Sequence, residues 1–210
     1  MKKLLVLISL FLFLGVSILP STIGFLKENY VLMNLGSRGY IQGLIDNASD
    51  GETIYISSGI YYECIVINKR ISLVGEDKNT TIIDGSNIGD VVTISADWVN
   101  ISGFTIQNGT SGWYHAGIYL NSNNTAINNN IIMNNQGNGI ITNYSDYSSK
   151  YNIIINNTIK GNMGGILFSG SHYSTITGNI ISDNLDYGIN FGVESYNNII
   201  ENNSKLDAKI

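Results

Sequence analysis

The sequence of 210 residues contains little proline, cysteine, arginine or charge of any kind. A single proline and the absence of a strict Gly period exclude a collagen-like chain. A single cysteine, Cys64, excludes an internal disulfide, and its place in the alternating segment 64–67 predicts a small residue in or beside the core. Charged residues make up only 13% of this apolar chain, which excludes intrinsic disorder.

Isoleucine, asparagine and glycine are abundant instead, with 35 Ile, 29 Asn and 23 Gly. Isoleucine favours strands, whereas asparagine and glycine favour turns. The residues on which long helices depend, Ala, Leu, Glu and Lys, are too few for a helical bundle. The composition therefore predicts an all-β protein with many turns.

The amino terminus has the layout of a secretory signal peptide, because Lys2 and Lys3 precede an uncharged run over residues 4–26. We expect residues 1–24 to be a signal peptide; if it is not cleaved, the run to residue 26 is long enough to anchor the chain in a membrane. The predicted location is therefore secreted or at the cell surface. Loss of the two lysines takes the formal net charge from −5 to −7, which argues against a nucleic-acid partner.

Two motifs recur together along the second half of the chain. A Gly-Ile pair recurs at spacings of 22, 26 and 23 residues, and an asparagine recurs at spacings of 27, 22 and 23. The glycines of the pairs are Gly117, Gly139, Gly165 and Gly188. The asparagines are Asn130, Asn157, Asn179 and Asn202. A shared period of this length is typical of a solenoid.

Short runs of alternating apolar and polar residues within each repeat predict short strands with one inward face. Three runs per repeat predict a three-sided coil, and residues 53–204 accommodate about seven coils. Stacking of these coils predicts two inward columns of apolar residues. The first comprises Val92, Ile118, Ile140, Ile166 and Ile189. The second comprises Ile106, Ile132, Ile159 and Ile181.

The recurring asparagines predict a polar column at one corner of the coil. Asparagine tolerates left-handed backbone dihedrals, and its amide both donates and accepts, so stacked corners can form a hydrogen-bonded ladder. We predict this ladder at Asn130, Asn157, Asn179 and Asn202. The alternative, ordinary polar loop residues, is disfavoured by the regular spacing.

The segment 38–52 predicts a short amphipathic helix ahead of the repeats. Its apolar residues have helical spacing: Ile41, Leu44, Ile45 and Ala48. Such a helix would cover the first coil and block edge pairing. The tail 205–210 follows in mid-coil, so we expect either further carboxyl-terminal coils or end-to-end self-association of the rod.

With these elements the chain resembles the right-handed parallel β-helix of the pectin-lyase-like superfamily, in its NosD-like and surface-protein branch. Segments 41–63, 71–85 and 91–108 and the later repeats carry the resemblance, which covers residues 38–204. It implies an all-β, right-handed parallel β-helix solenoid with a short N-terminal capping helix. It implies no single activity, because this scaffold hosts lyases, hydrolases, esterases, epimerases and surface proteins without catalysis.

The catalytic sets of that superfamily are missing from the sequence. Its polysaccharide hydrolases carry neighbouring aspartates and a Gly-His-Gly, and its lyases use arginine with clustered aspartates, whereas here Arg38 and Arg70 precede the regular repeats. We predict no catalytic residue, no metal site and no cofactor. Copper ligands would be His, Cys or Met, and these are scattered over different coils. An enzyme that uses Asp146, His172 or Glu194 is the alternative.

Two loops are longer than their equivalents in neighbouring repeats. One adds residues 110–115 and the other adds residues around Tyr144, and both flank the strand row that contains Tyr119. In the resembled family polysaccharide lies on this outer face, and sugars stack on aromatic rings. We predict a carbohydrate-binding groove at Trp113, Tyr114, His115, Tyr119, Tyr144, Asp146 and Tyr147. The alternative is that the loops fold down over apolar surface.

Eight Asn-X-Ser/Thr sequons occur, and we predict N-glycosylation at the loop sites Asn79, Asn108, Asn123 and Asn143. The leading hypothesis is an exported β-helix module that binds or displays polysaccharide or surface glycan at the cell surface without catalysis. The alternatives are a polysaccharide-active enzyme of lyase or hydrolase type, a purely structural surface protein and a NosD-like copper-associated protein.

Overall fold

The computed structural model describes residues 39–142, 149–192 and 194–204. These residues form one short helix, α1 (Tyr40–Asn47), followed by short strands in three long sheets. The predicted signal peptide and the tail 205–210 lie outside the described residues. Within the described part of the chain, no helix is long and apolar enough to cross a membrane.

Each long sheet takes one strand from every turn of the chain, and all its strand pairs are parallel. Sheet one contains β1 (Thr53–Ile56), β4 (Ser72–Gly75), β7 (Asn100–Ser102), β10 (Ala126–Asn128), β14 (Ile153–Ile155), β18 (Thr175–Thr177) and β21 (Ile199–Glu201). Sheet two contains β2 (Gly59–Tyr62), β5 (Thr81–Asp84), β8 (Thr105–Gln107), β11 (Ile131–Met133), β15 (Thr158–Lys160) and β19 (Ile180–Ser182). Sheet three contains β3 (Ile65–Ile67), β6 (Val92–Ile94), β9 (Ala116–Leu120), β12 (Asn138–Thr142), β16 (Gly164–Phe168) and β20 (Tyr187–Phe191). A small fourth sheet pairs β13 (Ser149–Lys150) with β17 (Ser171–His172).

One turn of the chain passes through sheets one, two and three, which makes a three-sided coil. Coil 1 is β1–β3, and coils 2 to 6 begin at β4, β7, β10, β14 and β18. The predicted parallel β-helix is therefore confirmed. It has six complete coils and the additional strand β21, where about seven coils were expected.

Inward side chains form the apolar core that the sequence predicts. In sheet three Val92 pairs with Ile118, and in sheet two Ile106 pairs with Ile132, so both predicted columns are in register. Every member of the two columns is buried except Ile189, which is half-buried. Each buried Ile contributes roughly 1.5–3 kcal/mol, so repetition of one residue type supplies much of the stability.

Asparagine side chains connect the coils at the corner between sheets one and two. The Asn130 amide N–H donates to Asn157 Oδ1 at 3.0 Å, Asn157 N–H to Asn179 Oδ1 at 2.9 Å, and Asn179 N–H to Asn203 Oδ1 at 3.0 Å. Each Nδ2 also donates to the Oδ1 of the next member. The fourth member is therefore Asn203, and the prediction of Asn202 is wrong.

The left-handed dihedrals lie one residue before the ladder. Asn129, Asn156, Gly178 and Asn202 have φ of 52°, 57°, 65° and 55°. Such a residue bends the chain from one sheet to the next, and the side chain of the residue that follows it points into the corner. For this reason Asn202 takes the turn position and Asn203 the ladder position.

Two further ladders, neither of them predicted from the sequence, hold the other corners. One ladder lies at the corner between sheets two and three. There the Asn135 backbone N–H donates to Asn162 Oδ1 at 3.0 Å, and the Asn162 backbone N–H donates to Asn184 Oδ1 at 3.1 Å. The third corner mixes residue types: Thr125, Asn152, Ser174 and Asn198. The first of these ladders repeats at the same spacings, 27 and 22 residues, as Asn130, Asn157 and Asn179, so the signal was present in the sequence.

Helix α1 lies within the predicted segment 38–52 and packs on the first coil. Ile41 and Ile45 are fully buried. The Gln42 side chain accepts from the Val66 amide at 2.7 Å and donates to the Val66 carbonyl at 3.3 Å. Because Val66 lies on the edge strand β3 of sheet three, this side chain occupies the backbone groups to which another strand would pair.

Charged side chains from coil 1 hold both ends of α1. The Glu63 carboxylate accepts from the amides of Ile41 and Gln42, each at 3.0 Å. At the other end Lys69 Nζ donates to the Asp46 carbonyl at 2.7 Å. Each charge is opposite in sign to the helix dipole at that end and satisfies backbone groups that have no partner within the helix.

The prediction that Cys64 lies in or beside the core is wrong. Cys64 is exposed and directly precedes β3, in which Ile65 and Ile67 are buried and Val66 is exposed. Alternation along this strand therefore places Cys64 on the same side as Val66, facing outwards.

Candidate functional site

The outer face of sheet three carries one outward side chain from each coil. Strand pairing places these residues in one row along the rod: Val66, Thr93, Tyr119, Ile141, Leu167 and Asn190. Their burial differs, because Val66 is 42% exposed and Ile141 only 1%. Ile141, in the middle of the row, is therefore covered, whereas its neighbours Tyr119 and Leu167 are half-buried.

A cleft of about 220 Å³ lies over the far part of this row. Its described lining comprises Trp113, Tyr114, Leu167, Ser169, Tyr187, Asn190 and Gly192. Trp113 and Tyr114 come from the long loop before β9 in coil 3, whereas the other lining residues belong to coils 5 and 6. Both rings are 62% exposed. The loop thus extends along the rod and leaves an open space against the sheet.

Asn138 holds the backbone of this loop in place. Its Nδ2 donates to the carbonyl oxygens of Trp113 at 3.0 Å and His115 at 3.4 Å. Its Oδ1 accepts from the Tyr187 hydroxyl. Since Asn138 is fully buried, the position of the loop is tied to sheet three and, through Tyr187, to the last complete coil.

A carboxylate holds the far end of the same loop. Asp90 Oδ1 accepts from the Ala116 amide at 2.7 Å and lies 3.3 Å from His115 Nδ1. His115 therefore contacts Asp90 and does not line the cleft. The loop backbone is fixed at two points, while the rings between them stay accessible.

Two hydroxyls give the cleft its polar character. Burial, with a smaller contribution from the Asp186 carboxylate, raises the pKa of Tyr187 to about 12. The phenol therefore stays protonated at neutral pH and acts as a hydrogen-bond donor. Ser169 Oγ is buried and has no hydrogen-bond partner among the described residues.

The structure brings together only some of the residues predicted for the groove. Trp113 and Tyr114 line the cleft. Tyr119 lies on the same outer row but outside the lining. Three others, Tyr144, Asp146 and Tyr147, lie outside the described residues.

Tyr187, Ser169, Asn190 and Gly192 were missed as lining residues. Tyr187 is in register with Gly164, which pairs with Asn138, so alignment of the repeats places its ring near the long loop. Nothing in the sequence shows that this loop, in coil 3, reaches as far as coil 6.

The residues weighed for catalysis or metal binding lie elsewhere. His172 is 7% exposed, its ring stacks on Tyr196 at 4.4 Å, and its Nδ1 has no hydrogen-bond partner among the described residues. Glu194 is exposed in a loop, and Asp146 lies outside the described residues. Within the described ranges, no group of three or more His, Cys, Asp or Glu residues is placed to hold a metal ion.

The predicted glycosylation sites differ in how their amides are used. The Nδ2 groups of Asn79, Asn108 and Asn123 donate to the carboxylates of Asp77, Asp84 and Asp97, at 2.9, 2.7 and 3.3 Å. Asn143 lies outside the described residues. A glycan replaces one of the two Nδ2 hydrogens and leaves the other as a donor to the carboxylate. Modification of these residues stays a prediction.

The family model of the right handed beta helix region matches residues 90–209. The chain belongs to this family. The match covers more than half of the sequence and includes the long loop and the cleft, while the NosD-like branch stays a prediction. No curated protein matches this β-helix protein.

Solved structures of polysaccharide-active enzymes are similar to this β-helix protein in fold. An alginate lyase from Paenibacillus sp. str. FPU-7 has a TM-score of 0.66 at 20% identity, over 77% of this chain and 62% of the lyase chain. This chain thus spans less than two thirds of the lyase. A pectin methylesterase mutant in complex with a hexasaccharide has a TM-score of 0.42 at 12% identity, over 67% and 60% of the two chains. The pectin methylesterase from Aspergillus niger has a TM-score of 0.33 at 15% identity, over 83% and 90%.

Proposed function

We propose that this β-helix protein binds polysaccharide in the cleft beside Trp113 and Tyr114 and does not cleave it. The observation that carries the proposal is the open cleft of about 220 Å³ lined by two aromatic rings that are each 62% exposed. Neighbouring apolar side chains that form one exposed patch mark interaction sites on proteins. The flat C–H faces of a sugar match such rings.

The polar groups of the cleft suit a ligand with many hydroxyls. Asn190 is exposed and offers an amide donor and acceptor, and Ser169 Oγ has no hydrogen-bond partner among the described residues. Tyr187 also lines the cleft, but its hydroxyl proton is already donated to Asn138 Oδ1. Few polar groups among apolar walls are typical of small-ligand and sugar sites, because the walls supply contact area and the polar groups fix orientation.

The ionisable groups of the cleft favour binding over hydrolysis. Hydrolysis of a glycosidic bond ordinarily uses two carboxyl groups on opposite sides of the bond. Among the described lining residues the ionisable side chains are the phenols of Tyr114 and Tyr187, and none is a carboxyl group. The pKa of Tyr187, about 12, keeps its phenol protonated at neutral pH. Export to the cell surface, which the signal-like amino terminus favours, would bring the cleft into contact with extracellular glycans.

Titration with oligosaccharides tests this proposal. We expect a glycan array to identify a ligand, and calorimetry to show binding about tenfold weaker in Trp113→Ala and in Tyr114→Ala, since each removes one stacking ring. Tyr55→Ala is the matched control, because Tyr55 is 76% exposed on sheet one, away from the cleft.

Two results would overturn the proposal. Unchanged affinity in a folded double variant of Trp113 and Tyr114 would remove the cleft as the site. Release of reducing ends or unsaturated uronates from a bound polysaccharide would show cleavage and would support the enzyme alternative instead.

A further inference from the structure

A second aromatic surface lies at the corner between sheets three and one, separate from the cleft. Strand pairing places Ser72, Asn100, Ala126, Ile153, Thr175 and Ile199 side by side. The residues two positions earlier therefore form one column along the corner. That column is Arg70, Trp98, Asn124, Tyr151, Tyr173 and Asn197.

The aromatic members of this column have an unusual backbone. Trp98, Tyr151 and Tyr173 have φ of 62°, 58° and 54°, a left-handed region that Gly and Asn occupy far more easily. Packing does not require them, since they are 59%, 54% and 51% exposed. Asparagine, of which the chain has 29, would fit these backbone positions with less strain. The presence of bulky exposed rings there indicates a function for the rings.

Asn124 interrupts the aromatic column between Trp98 and Tyr151. Each of these two rings is covered on the face that points away from Asn124. The Arg70 guanidinium lies over the Trp98 ring, 5.9 Å from its centroid. Tyr173 stacks on Tyr151 with 5.4 Å between centroids and 17° between planes. Because Arg70 and Tyr173 approach from the outer ends, the other faces of Trp98 and Tyr151 are directed towards each other across Asn124.

The width of this gap matches one ring. Trp98 and Tyr151 are two coils apart, which is about 10 Å at the spacing of neighbouring strands. A ring placed midway lies about 5 Å from each, within the range of stacked rings. We propose that the gap above Asn124 is a second binding site, which holds one pyranose ring of a glycan between Trp98 and Tyr151.

The surroundings favour a sugar over a wholly apolar ring. Half-buried Asn124 forms the floor of the gap and offers a donor and an acceptor for hydroxyls. Lys150, exposed and one residue before Tyr151, lies beside the gap, and Asp97 on the other side already accepts from the Asn123 amide at 2.7 Å. The site therefore provides two apolar faces, a polar floor and a cation at its edge.

The two tryptophans allow each site to be observed alone. Trp98 and Trp113 are the two tryptophans of the chain, so Trp113→Phe leaves Trp98 as the single reporter. We expect cellohexaose or hexagalacturonate to change the Trp98 emission in a saturable manner. Trp98→Phe leaves Trp113 to report on the cleft, so failure at the gap and failure at the cleft are distinguishable.

Filling the gap tests its geometry. Asn124→Tyr, made in the Trp113→Phe background, supplies the missing ring and should weaken binding to Trp98 at least tenfold. Asn197→Tyr is the matched control, because it adds a ring at the same register, also at positive φ, without filling the gap. Tyr151→Ala removes one wall and should also weaken binding about tenfold, which keeps the test valid if Asn124→Tyr fails to fold.

Three results would overturn the proposal. They are no response of Trp98 to either oligosaccharide, unchanged affinity in Asn124→Tyr, and unchanged affinity in Tyr151→Ala. A response to N-acetyltyrosinamide with none to either sugar would also overturn it and would assign the gap to an aromatic side chain of a protein partner.

Discussion

The first two coils and coils 4 to 6 have the same arrangement of strands and the same kind of apolar core, but different side chains form the hydrogen bonds at their corners. In the later coils, stacked amides such as Asn130 and Asn157 bond from one corner to the next. In the first two coils, single carboxylates bond to the backbone. Glu76 accepts from the Ser58 amide at 2.7 Å, and Asp84 accepts from the Ser86 amide at 2.9 Å.

This difference shows what each kind of corner requires. An amide ladder needs successive corners of equal shape, because every member bonds to the members above and below it. A carboxylate only accepts hydrogen bonds, so it cannot pass a bond on to the next coil as an amide does: Glu76 of coil 2 accepts from the Ser58 amide of coil 1, and Asp84 Oδ1 accepts from Ser86 in its own corner. The later coils therefore have stability that propagates along the rod and does not titrate, whereas the corners of the first coils depend on ionisation.

The sharpest test of the comparison removes one member of the ladder. Asn157→Ala leaves the buried Asn130 amide, which donates to Asn157 Oδ1 at 3.0 Å, and the Ile127 carbonyl, which accepts from Asn157 Nδ2 at 2.8 Å, without those partners. We expect the free energy of unfolding to fall by about 3 kcal/mol. Urea denaturation followed by circular dichroism measures it, as a lower midpoint at constant slope.

The neighbouring residue provides the control for this variant. Asn156 is exposed and has φ of 57°, so Asn156→Gly keeps the turn and should change the free energy of unfolding by less than about 0.5 kcal/mol. Equal losses in Asn156→Gly and Asn157→Ala would show that the turn, and not the ladder, stabilises the corner.

The repeats explain why the later coils could be predicted from the sequence. Period-two alternation and the Gly-Ile pairs fix which side chains point inwards, so the columns through Ile118 and Ile132 were predicted correctly. The roles of adjacent asparagines are harder to predict from the sequence, because the turn residue and the ladder residue can both be Asn. The choice between Asn202 and Asn203 depends on a backbone dihedral that the sequence does not specify.

The candidate site could be predicted only in part. Loop length identified Trp113 and Tyr114, because a longer segment must leave the regular coil. Contacts between coils far apart in sequence, such as the Tyr187 hydroxyl with Asn138, depend on where that loop lies. Likewise, the aromatic column at Trp98 becomes visible only once the strand register is known.

The second prediction concerns the carboxylate that holds the capping helix. Glu63→Ala removes the acceptor for the Ile41 and Gln42 amides, and we expect a loss of about 1–2 kcal/mol, as for other helix caps. Hydrogen exchange should show faster exchange in α1 and β3, with the Asn157 amide unchanged. Glu201→Ala, which removes an equally charged, exposed residue from β21, is the control. Uniform acceleration over both regions would mean that the rod unfolds as one unit.

The third prediction uses pH to separate the two kinds of corner. Hydrogen bonds from the Ser58 amide and hydroxyl lower the pKa of Glu76 below its ordinary value of 4.5. Its stabilising contribution is therefore complete above that value and is lost as the pH falls through the lowered pKa. The Ser58 amide shift, followed by NMR, should show this transition, and Glu76→Gln should abolish it. A matching transition at the Asn130 amide would contradict the view that the ladder does not titrate.

The smallest expected effect is on the single thiol. Although Cys64 faces outwards, neighbouring groups partly desolvate its thiol, and this desolvation, followed by the nearby charges of Asp90 and Glu63, raises the pKa of Cys64 against the lowering effect of a hydrogen bond from the Gly89 backbone. Because the thiolate is the reactive form, the folded protein should react with an aromatic disulfide reagent at pH 8 more slowly than the unfolded chain does. Asp90→Asn should speed the reaction roughly twofold, since it removes a charge but keeps an oxygen for the Ala116 amide. Asp186→Asn, in coil 6, should leave the rate unchanged; an equal acceleration there would show that charge acts on the whole rod and not on the first coils alone.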